Sequence, residues 1–295
     1  MSDQALLPST TARPTTPEQL AELIATAALQ CGALLLCTDF DGSVAPIRSR
    51  PGEVHALPAA ERALAWLSRR GAAAGRDARV PTRVALITAR DSDDVYRRIV
   101  LGPEAVVSGN YGLERRRGDG GSAVVPAAER WLPALEAAAV DLERAHHEGR
   151  CPGARLERKR CGVVVHTRGL ERAGSNSCAQ ELAHEVAARR KLAVVPGKMV
   201  AEVRLPLRRT KADAVADVRR GRWKDAALCI AGDDVGDVPM LRLAAGLDHA
   251  IGVAVGDGET PPGLLEAADW RLPGPEAWAE TLTEVVERLQ GLSTR

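Results

Sequence analysis

The sequence predicts an α/β fold in which one parallel sheet, wound on both faces by helices, is interrupted by a separate α+β segment. Three observations carry that expectation. Short apolar runs alternate with amphipathic helical patterns over residues 34–112, the rhythm of parallel βαβ units. The same rhythm returns after residue 206 and continues toward the end of the 295-residue chain. Residues 113–205 follow another order, a long helix and then period-two strands, and so read as an insertion. Segments 16–112 and 206–295 therefore build one doubly wound, Rossmann-like sheet from both ends of the chain, with 113–205 as an inserted α+β cap.

Residues 1–15 are rich in Ser, Thr and Pro and are expected to form a disordered tail. Thr16 then caps a helix, with Pro17 at its first position and Gln19 placed to close a capping box. "ALLLCTDF" is a strand, followed by a helix near 58–70, the strand "RVALITA", a helix near 91–101 and the strand "AVVSGN". The Gly/Ala-rich stretch 71–81 reads as a loop with no legible chemistry. In the insertion, a helix over about 126–149 precedes strands around 155–168, a helix near 176–190 and strands around 192–205. Met199, Ala201, Val203 and Leu205 alternate there with Lys198, Val200, Glu202 and Arg204, as a half-buried strand requires, and "VVVHTRG" puts His166 and Arg168 on one face. The last third supplies a helix near 211–220, the strand "AALCIAGDD", a helix near 238–246, the strand "HAIGVAV" and a final helix near 275–290.

Lys+Arg of 40 against Asp+Glu of 39 leaves a formal net charge of +1, so no global field recruits nucleic acid or an anionic membrane. A small-molecule partner is expected instead. Six cysteines form no C-x-x-C pair, and Cys31, Cys37 and Cys229 lie in or beside apolar runs, which reads as reduced, buried thiols. No apolar run approaches the ~18 residues of a membrane span, and the N-terminus lacks a basic start and an apolar signal core. The expected location is cytoplasmic.

The chemistry concentrates at two strand ends. "LLLCTDFDGS" runs an apolar strand into Asp39 and Asp41, and "IAGDDVGD" runs another into Asp233 and Asp234, with Asp237 opening the next helix. Ligands of open α/β sheets bind beyond the carboxyl ends of the strands, where these residues fall. A calcium loop starting at Asp39 fails, because Val44 stands where the sharp-turn glycine belongs and Arg50 where the bidentate glutamate belongs. Carboxylates converging on one sheet edge repel unless a cation sits among them, and Mg2+, a hard ion that takes a few carboxylates, waters and phosphate oxygens, suits them. Such a site fits phosphoryl transfer, with one carboxylate attacking phosphorus and another handling the proton of the leaving alcohol.

"DFDGS", "LITAR", the helix-opening lysine of "RRTKADAV" and "GDDVGD" together resemble the four ordered motifs of the haloacid-dehalogenase-like (HAD) phosphatase superfamily. That resemblance implies Asp39 as the nucleophile forming an aspartyl-phosphate, Asp41 as general acid and base, Thr88 on the phosphoryl oxygens and Lys211 beside nucleophile and phosphate. It implies Mg2+ held by Asp39, the Asp41 carbonyl, Asp233 and Asp237, with Asp234 in a supporting place. Over nearly the whole chain after residue 30, "DFDGSVAPI", "GNYGLE", "GVVVHTRG", "GKMVAEVRLP" and "GDDVGD" resemble the trehalose-6-phosphate phosphatases. Their cap contacts the sugar, which here names Lys198, Glu202 and Arg204, with Arg168 and His166 as further candidates.

The implied activity is hydrolysis of trehalose 6-phosphate, in functional pairing with a trehalose-phosphate-synthase-like glycosyltransferase. Ser43, Thr88, Ala89, Tyr111, Gly236 and Val238 depart from the family pattern. The last three bear on substrate choice and keep open another phosphorylated disaccharide or pseudo-disaccharide, such as a validoxylamine-type 7'-phosphate. A non-catalytic regulatory module is the reading from another class, and the intact set Asp39, Asp41, Lys211, Asp233 and Asp237 weighs against it.

Overall fold

The computed structural model describes residues 12–70, 80–118, 120–167, 170, 174–197, 199–256 and 260–291. Two compact units divide the chain, 1–122 with 209–295, and 123–208. The opening elements are β1 (Arg13–Pro14), α1 (Pro17–Cys31), β2 (Leu34–Thr38), α2 (Pro58–Leu67) and β3 (Thr82–Ile87). After them come α3 (Ser92–Tyr96), β4 (Val106–Gly109), β5 (Glu114–Arg117) and β6 (Ser122–Val124). The insertion holds α4 (Pro126–Glu129), α5 (Leu132–His147), β7 (Arg155–Lys159), β8 (Gly162–His166), α6 (Ser175–Arg190), β9 (Ala193–Gly197) and β10 (Val200–Arg204). The chain closes with α7 (Lys211–Val218), β11 (Ala227–Gly232), α8 (Val238–Ala244), β12 (Ala250–Val255), α9 (Pro262–Ala267), β13 (Trp270–Leu272) and α10 (Pro275–Gly291).

Among the described residues the large sheet runs in the order β1-β13-β12-β11-β2-β3-β4-β5-β6. The pairings from β13 across to β4 are parallel, and β5 returns antiparallel on β4. Alternation along β2 decides both layers of packing. Leu34 and Leu36 meet Leu20, Ile24, Leu64, Trp278 and Leu282 from α1, α2 and α10. Leu35 and Cys37 meet Val215, Met240, Leu241 and Leu264 from α7, α8 and α9. A strand buried on both faces must be apolar throughout, which is why β2 and β11 read as continuous apolar runs. Because β2 connects onward to β3 while its other neighbour is β11, the strand order reverses between β2 and β11, and a crevice opens at their carboxyl ends.

In the inserted unit, β7, β8, β10 and β9 form an antiparallel sheet in that order. Val163, Val165, Ala201 and Val203 of its strands are buried, as are Leu135 and Leu142 of α5 and Leu182 and Val186 of α6. Asp141 of α5 is buried with them and accepts hydrogen bonds from Arg190 at 2.7 Å and Arg144 at 2.6 Å.

Several expectations are corrected. The helix foreseen over 126–149 is two, α4 and α5, because Pro133 has no N–H to give the preceding turn and the helix restarts around it. The helix foreseen over 91–101 stops at Tyr96, where the N–H of Arg98 closes a tight turn on the Val95 carbonyl at 2.8 Å. Of the tail foreseen over 1–15, residues 1–11 lie outside the described residues, while the Arg13 guanidinium stacks 4.2 Å from the Trp270 ring centre and β1 pairs with β13. The first unit extends to 122 rather than 112, since β5 pairs onto β4 and prolongs the large sheet. Cys151 and Cys178 form a disulfide with Cα atoms 5.6 Å apart, while Cys37, Cys161 and Cys229 are buried thiols and Cys31 is half-buried. A turn after α5 and the first turn of α6 bring that pair together, a meeting that spacing in the sequence does not announce. Residues 71–79 of the Gly/Ala-rich loop lie outside the described residues. Among the described residues no helix is long and apolar enough to cross a membrane.

Candidate active site

At the crevice, the N–H of Asp39 donates to the Ala231 carbonyl at 2.9 Å, so the β2–β11 pairing holds Asp39 beside the end of β11. Lys211 is the first residue of α7, a place where lysine ordinarily faces water, yet it is only 3% exposed. Its Nζ donates to Asp237 Oδ1 at 2.6 Å and lies 2.9 Å from Asp39 Oδ1. The other oxygen of Asp237 accepts from the N–H groups of Asp233 and Asp234, at 3.0 and 3.1 Å. Asp237 thus organises the turn after β11. Asp234 points elsewhere and caps that turn by accepting from the Val235 N–H at 2.6 Å.

Oxygens of Asp39, Asp233 and Asp237 lie within 4.8 Å of one another. Burial pushes the Asp39 carboxyl up to about 7, with the Asp237 charge adding to the rise and Lys211 opposing it. Burial pushes Asp233 up to about 8, helped by the charges of Asp39 and Asp237. Burial also works against the charge on Lys211, but Asp39 and Asp237 outweigh it and hold the ammonium above its ordinary range. One ammonium against three carboxylates leaves a negative excess suited to a divalent cation. Asp233 Oδ1 is buried without a hydrogen-bond partner, and its other oxygen sits 1.9 Å from where a Cβ on Gly42 would stand. A glycine at φ +75° is what lets the turn after β2 pass so close.

Asp41 has a separate partner. Both its oxygens accept from Arg90, from Nε and from Nη2, each at 2.7 Å. Thr88, at the end of β3, is buried, and its hydroxyl oxygen accepts from the Arg90 N–H at 3.1 Å, which leaves the hydroxyl proton free to be donated. A cavity of about 770 Å³ spans Asp39, Asp41, Lys211, Asp233 and Tyr111 and runs on to Thr260, Pro273 and Glu276. Two residues that depart from the family pattern meet there. The Tyr111 ring approaches Gly236 to 3.8 Å from its would-be Cβ, and Tyr111 itself adopts φ +55°.

Of the cap candidates, Glu202, Arg204 and His166 sit on the four-stranded sheet of the inserted unit. Along β10, Ala201 and Val203 are buried while Glu202 and Arg204 are half-exposed, on the face that also carries Glu157, Lys159 and His166. Lys159 Nζ lies 3.4 Å from Glu202 Oε1. His166 Nε2 lies 2.7 Å from Glu157 Oε2, and that hydrogen bond holds Glu157 below the usual carboxylate range. Lys198 and Arg168 lie outside the described residues. Arg90, Glu157 and Lys159 escaped the sequence reading. "LITAR" contains Arg90, but its partner Asp41 is 49 residues away and no local pattern joins them.

Comparison with known proteins points one way. Residues 37–255 match the family model described as Trehalose-phosphatase. The chain is 31% identical over 210 residues to the trehalose-phosphate phosphatase of Mycobacterium leprae, covering 71% of this chain and 44% of that protein. It therefore spans less than half the length of that curated relative. Among solved structures it is similar to a trehalose-6-phosphate phosphatase related protein, with TM-score 0.66 and 23% identity over 88% of this chain and 100% of that one. It is also similar to the C-terminal domain of the Candida albicans trehalose-6-phosphate phosphatase, with TM-score 0.67 and 19% identity over 94% and 99% of the two chains.

Proposed function

This chain belongs to the trehalose-phosphatase family, and from that premise we propose that it is a phosphoric monoester hydrolase removing phosphate from a phosphorylated disaccharide, trehalose 6-phosphate first. The observation that carries the reading is the buried meeting of Asp39, Lys211, Asp233 and Asp237 at the sheet's crossover crevice. A carboxylate buried against an ammonium, with a hydroxyl donor at the next strand end, is equipped to attack phosphorus.

Asp39 attacks the phosphoryl group with an oxygen lone pair. The P–O bond to the sugar breaks, its electrons go to the alcohol oxygen, and Asp41 supplies the proton. Water then attacks the aspartyl-phosphate, gives its proton to Asp41, and the bond to Asp39 breaks to restore the carboxylate and release phosphate. Lys211 orients Asp39 from 2.9 Å, and the Thr88 hydroxyl donates to a phosphoryl oxygen.

The residues fit Mg2+: hard oxygen donors, an orphaned buried oxygen on Asp233 and an uncompensated negative charge. Asp39 and Asp233, with the Asp41 carbonyl, would hold it. Asp237, whose oxygens already serve Lys211 and two backbone N–H groups, would serve mainly to shape the site. When bound, the ion would neutralise the charge of the carboxylates and the phosphoryl group.

Glu202 and Arg204 on the polar face of the cap sheet, and Lys198 beside them in sequence, are assigned to the sugar hydroxyls, for which carboxylate acceptors and cationic donors are suited. Pairing with a trehalose-phosphate-synthase-like glycosyltransferase and a cytoplasmic location complete the reading. The test is purified protein with Mg2+ against a panel of sugar phosphates that includes trehalose 6-phosphate and other disaccharide phosphates. Preferred turnover of trehalose 6-phosphate supports the reading, preference for another disaccharide phosphate moves the substrate, and inertness toward every ester sinks the enzyme.

A further inference from the structure

We infer that Arg90 is a positioning residue of the phosphoryl-transfer site, one that aims the Asp41 carboxyl at the leaving oxygen and later at water. The inference rests on the phosphatase reading above. Asp41 stands in the turn after β2, between Phe40 and the left-handed Gly42, and its side chain is a third exposed. A carboxylate in such a place turns freely unless something grips it, and proton transfer tolerates little error in aim. Arg90 supplies the grip as a two-pronged fork, with Nε on Oδ2 and Nη2 on Oδ1. The arrangement serves both halves of the reaction. A protonated Asp41 keeps one oxygen accepting from Arg90 while its O–H points to the departing alcohol, and an ionised Asp41 keeps a lone pair for water.

The fork is itself held from three sides. Its remaining nitrogen, Nη1, donates to Asp94 Oδ2 at 3.0 Å. Asp94 is gripped in turn by Arg98, at 3.0 and 2.8 Å, and Arg98 Nη1 anchors on the carbonyls of Gly52 and Val54. Burial of Asp94 works against its charge, but the bonds from Arg98 and Arg90 outweigh that and hold the carboxyl below its usual range. The backbone of Arg90 is fixed as well, its N–H on the Thr88 hydroxyl and its carbonyl accepting from the Asn110 N–H at 2.9 Å. Asn110 Nδ2 bridges Asp91 and the buried Glu114, at 2.6 and 2.8 Å, and Glu114 also accepts from the Ser92 N–H. Three elements that meet at no common motif thus converge on one arginine, the turn after β2 and α3 on its guanidinium and the turn after β4 on its backbone carbonyl. Charge alone does not need this construction. A surface ion pair would stabilise the fold by at most about 1 kcal/mol without a second and third layer of support.

Leaving-group dependence distinguishes aim from stability. The quantity kcat/KM counts only the steps through departure of the alcohol, so it reports protonation of the leaving oxygen and not the later attack of water. Arg90→Met and Arg90→Lys are compared with wild type on p-nitrophenyl phosphate, whose anion leaves unaided, and on phenyl phosphate, whose far more basic phenolate needs the proton. The expected result is a loss on phenyl phosphate exceeding that on p-nitrophenyl phosphate by roughly ten- to a hundredfold, part of the usual worth of general acid catalysis. Lysine, which keeps the charge and loses the fork, should restore little of it. In the Asp41→Asn background the Arg90 changes should add no further selective loss. Asp94→Asn, one step removed, should show the same selectivity at smaller size, and it tests the idea even where Arg90→Met folds poorly. Equal proportional losses on the two esters, or selective loss that persists without Asp41, overturn the inference alone. A wild-type chain inert toward every phosphate ester, the sugar phosphates included, overturns the phosphatase reading and this inference with it.

Discussion

Replacing Gly42 by alanine puts two separable strains on the site. The residue adopts φ +75°, where a side chain costs roughly 1–2 kcal/mol. The new Cβ would also stand 1.9 Å from Asp233 Oδ2 and 2.3 Å from its Cγ, well inside the 3.0 Å below which such contacts essentially never occur. The carboxylate must therefore retreat by about 1 Å, and a displacement of that size at a reacting centre costs on the order of a hundredfold in rate. Gly32 makes a matched control, because it adopts φ +68° at the end of α1 with nothing within 4 Å of its would-be Cβ. Both alanine variants should lose similar stability in thermal unfolding. Only Gly42→Ala should lose about a hundredfold in kcat/KM and need markedly more Mg2+ for half-maximal activity. If Gly42→Ala retains wild-type turnover and Mg2+ response, Asp233 is not the tightly placed ligand described above; equal kinetic loss in Gly32→Ala would refute the steric reasoning too.

Three further outcomes are expected. Activity should vanish in EDTA and return with Mg2+, and Asp233→Ala should weaken the Mg2+ response far more than Asp234→Ala, whose carboxylate only caps a turn; the reverse ranking would mean the ligands are wrongly assigned. Glu202→Ala should lower kcat/KM for the disaccharide phosphate by roughly ten- to a hundredfold while sparing p-nitrophenyl phosphate, since remote sugar contacts orient the reacting centre; equal losses on both would make its role structural. Non-reducing peptide mapping should recover Cys151 joined to Cys178, and a thiol reagent on the native chain should modify Cys31 before Cys37, which burial holds inert with its thiol pushed up to about 12; early labelling of Cys37 would contradict the packed core.

Local physics was legible in the sequence and distant pairing was not. The capping box of Thr16 and Gln19 forms because its two hydrogen bonds, both at 3.3 Å, join residues three apart. The parallel core could be read because β2 and β11 are apolar on both faces, and the acidic strand ends followed from it. The break at Pro133 was available in principle, since a proline inside a helical pattern warns of a restart. The burial of Lys211 was not available locally, because it depends on a carboxylate 26 residues on and on another at the end of β2. Arg90 hid for the same reason, as its meaning lies in a partner on another strand end. Two-residue β1 was too short for any period, and it is held by a stacked tryptophan near the far end of the chain.

The central claim is that the Asp39 carboxylate becomes covalently phosphorylated. Mixing the protein with a 32P-labelled phosphate ester that it turns over, quenching in acid within a turnover and mapping the label tests it directly. The account predicts label on the peptide containing Asp39, released by hydroxylamine as an acyl phosphate is, and none in Asp39→Asn, whose amide cannot attack phosphorus. Label on another residue, or an Asp39→Asn protein that keeps more than about a hundredth of wild-type turnover, would contradict it.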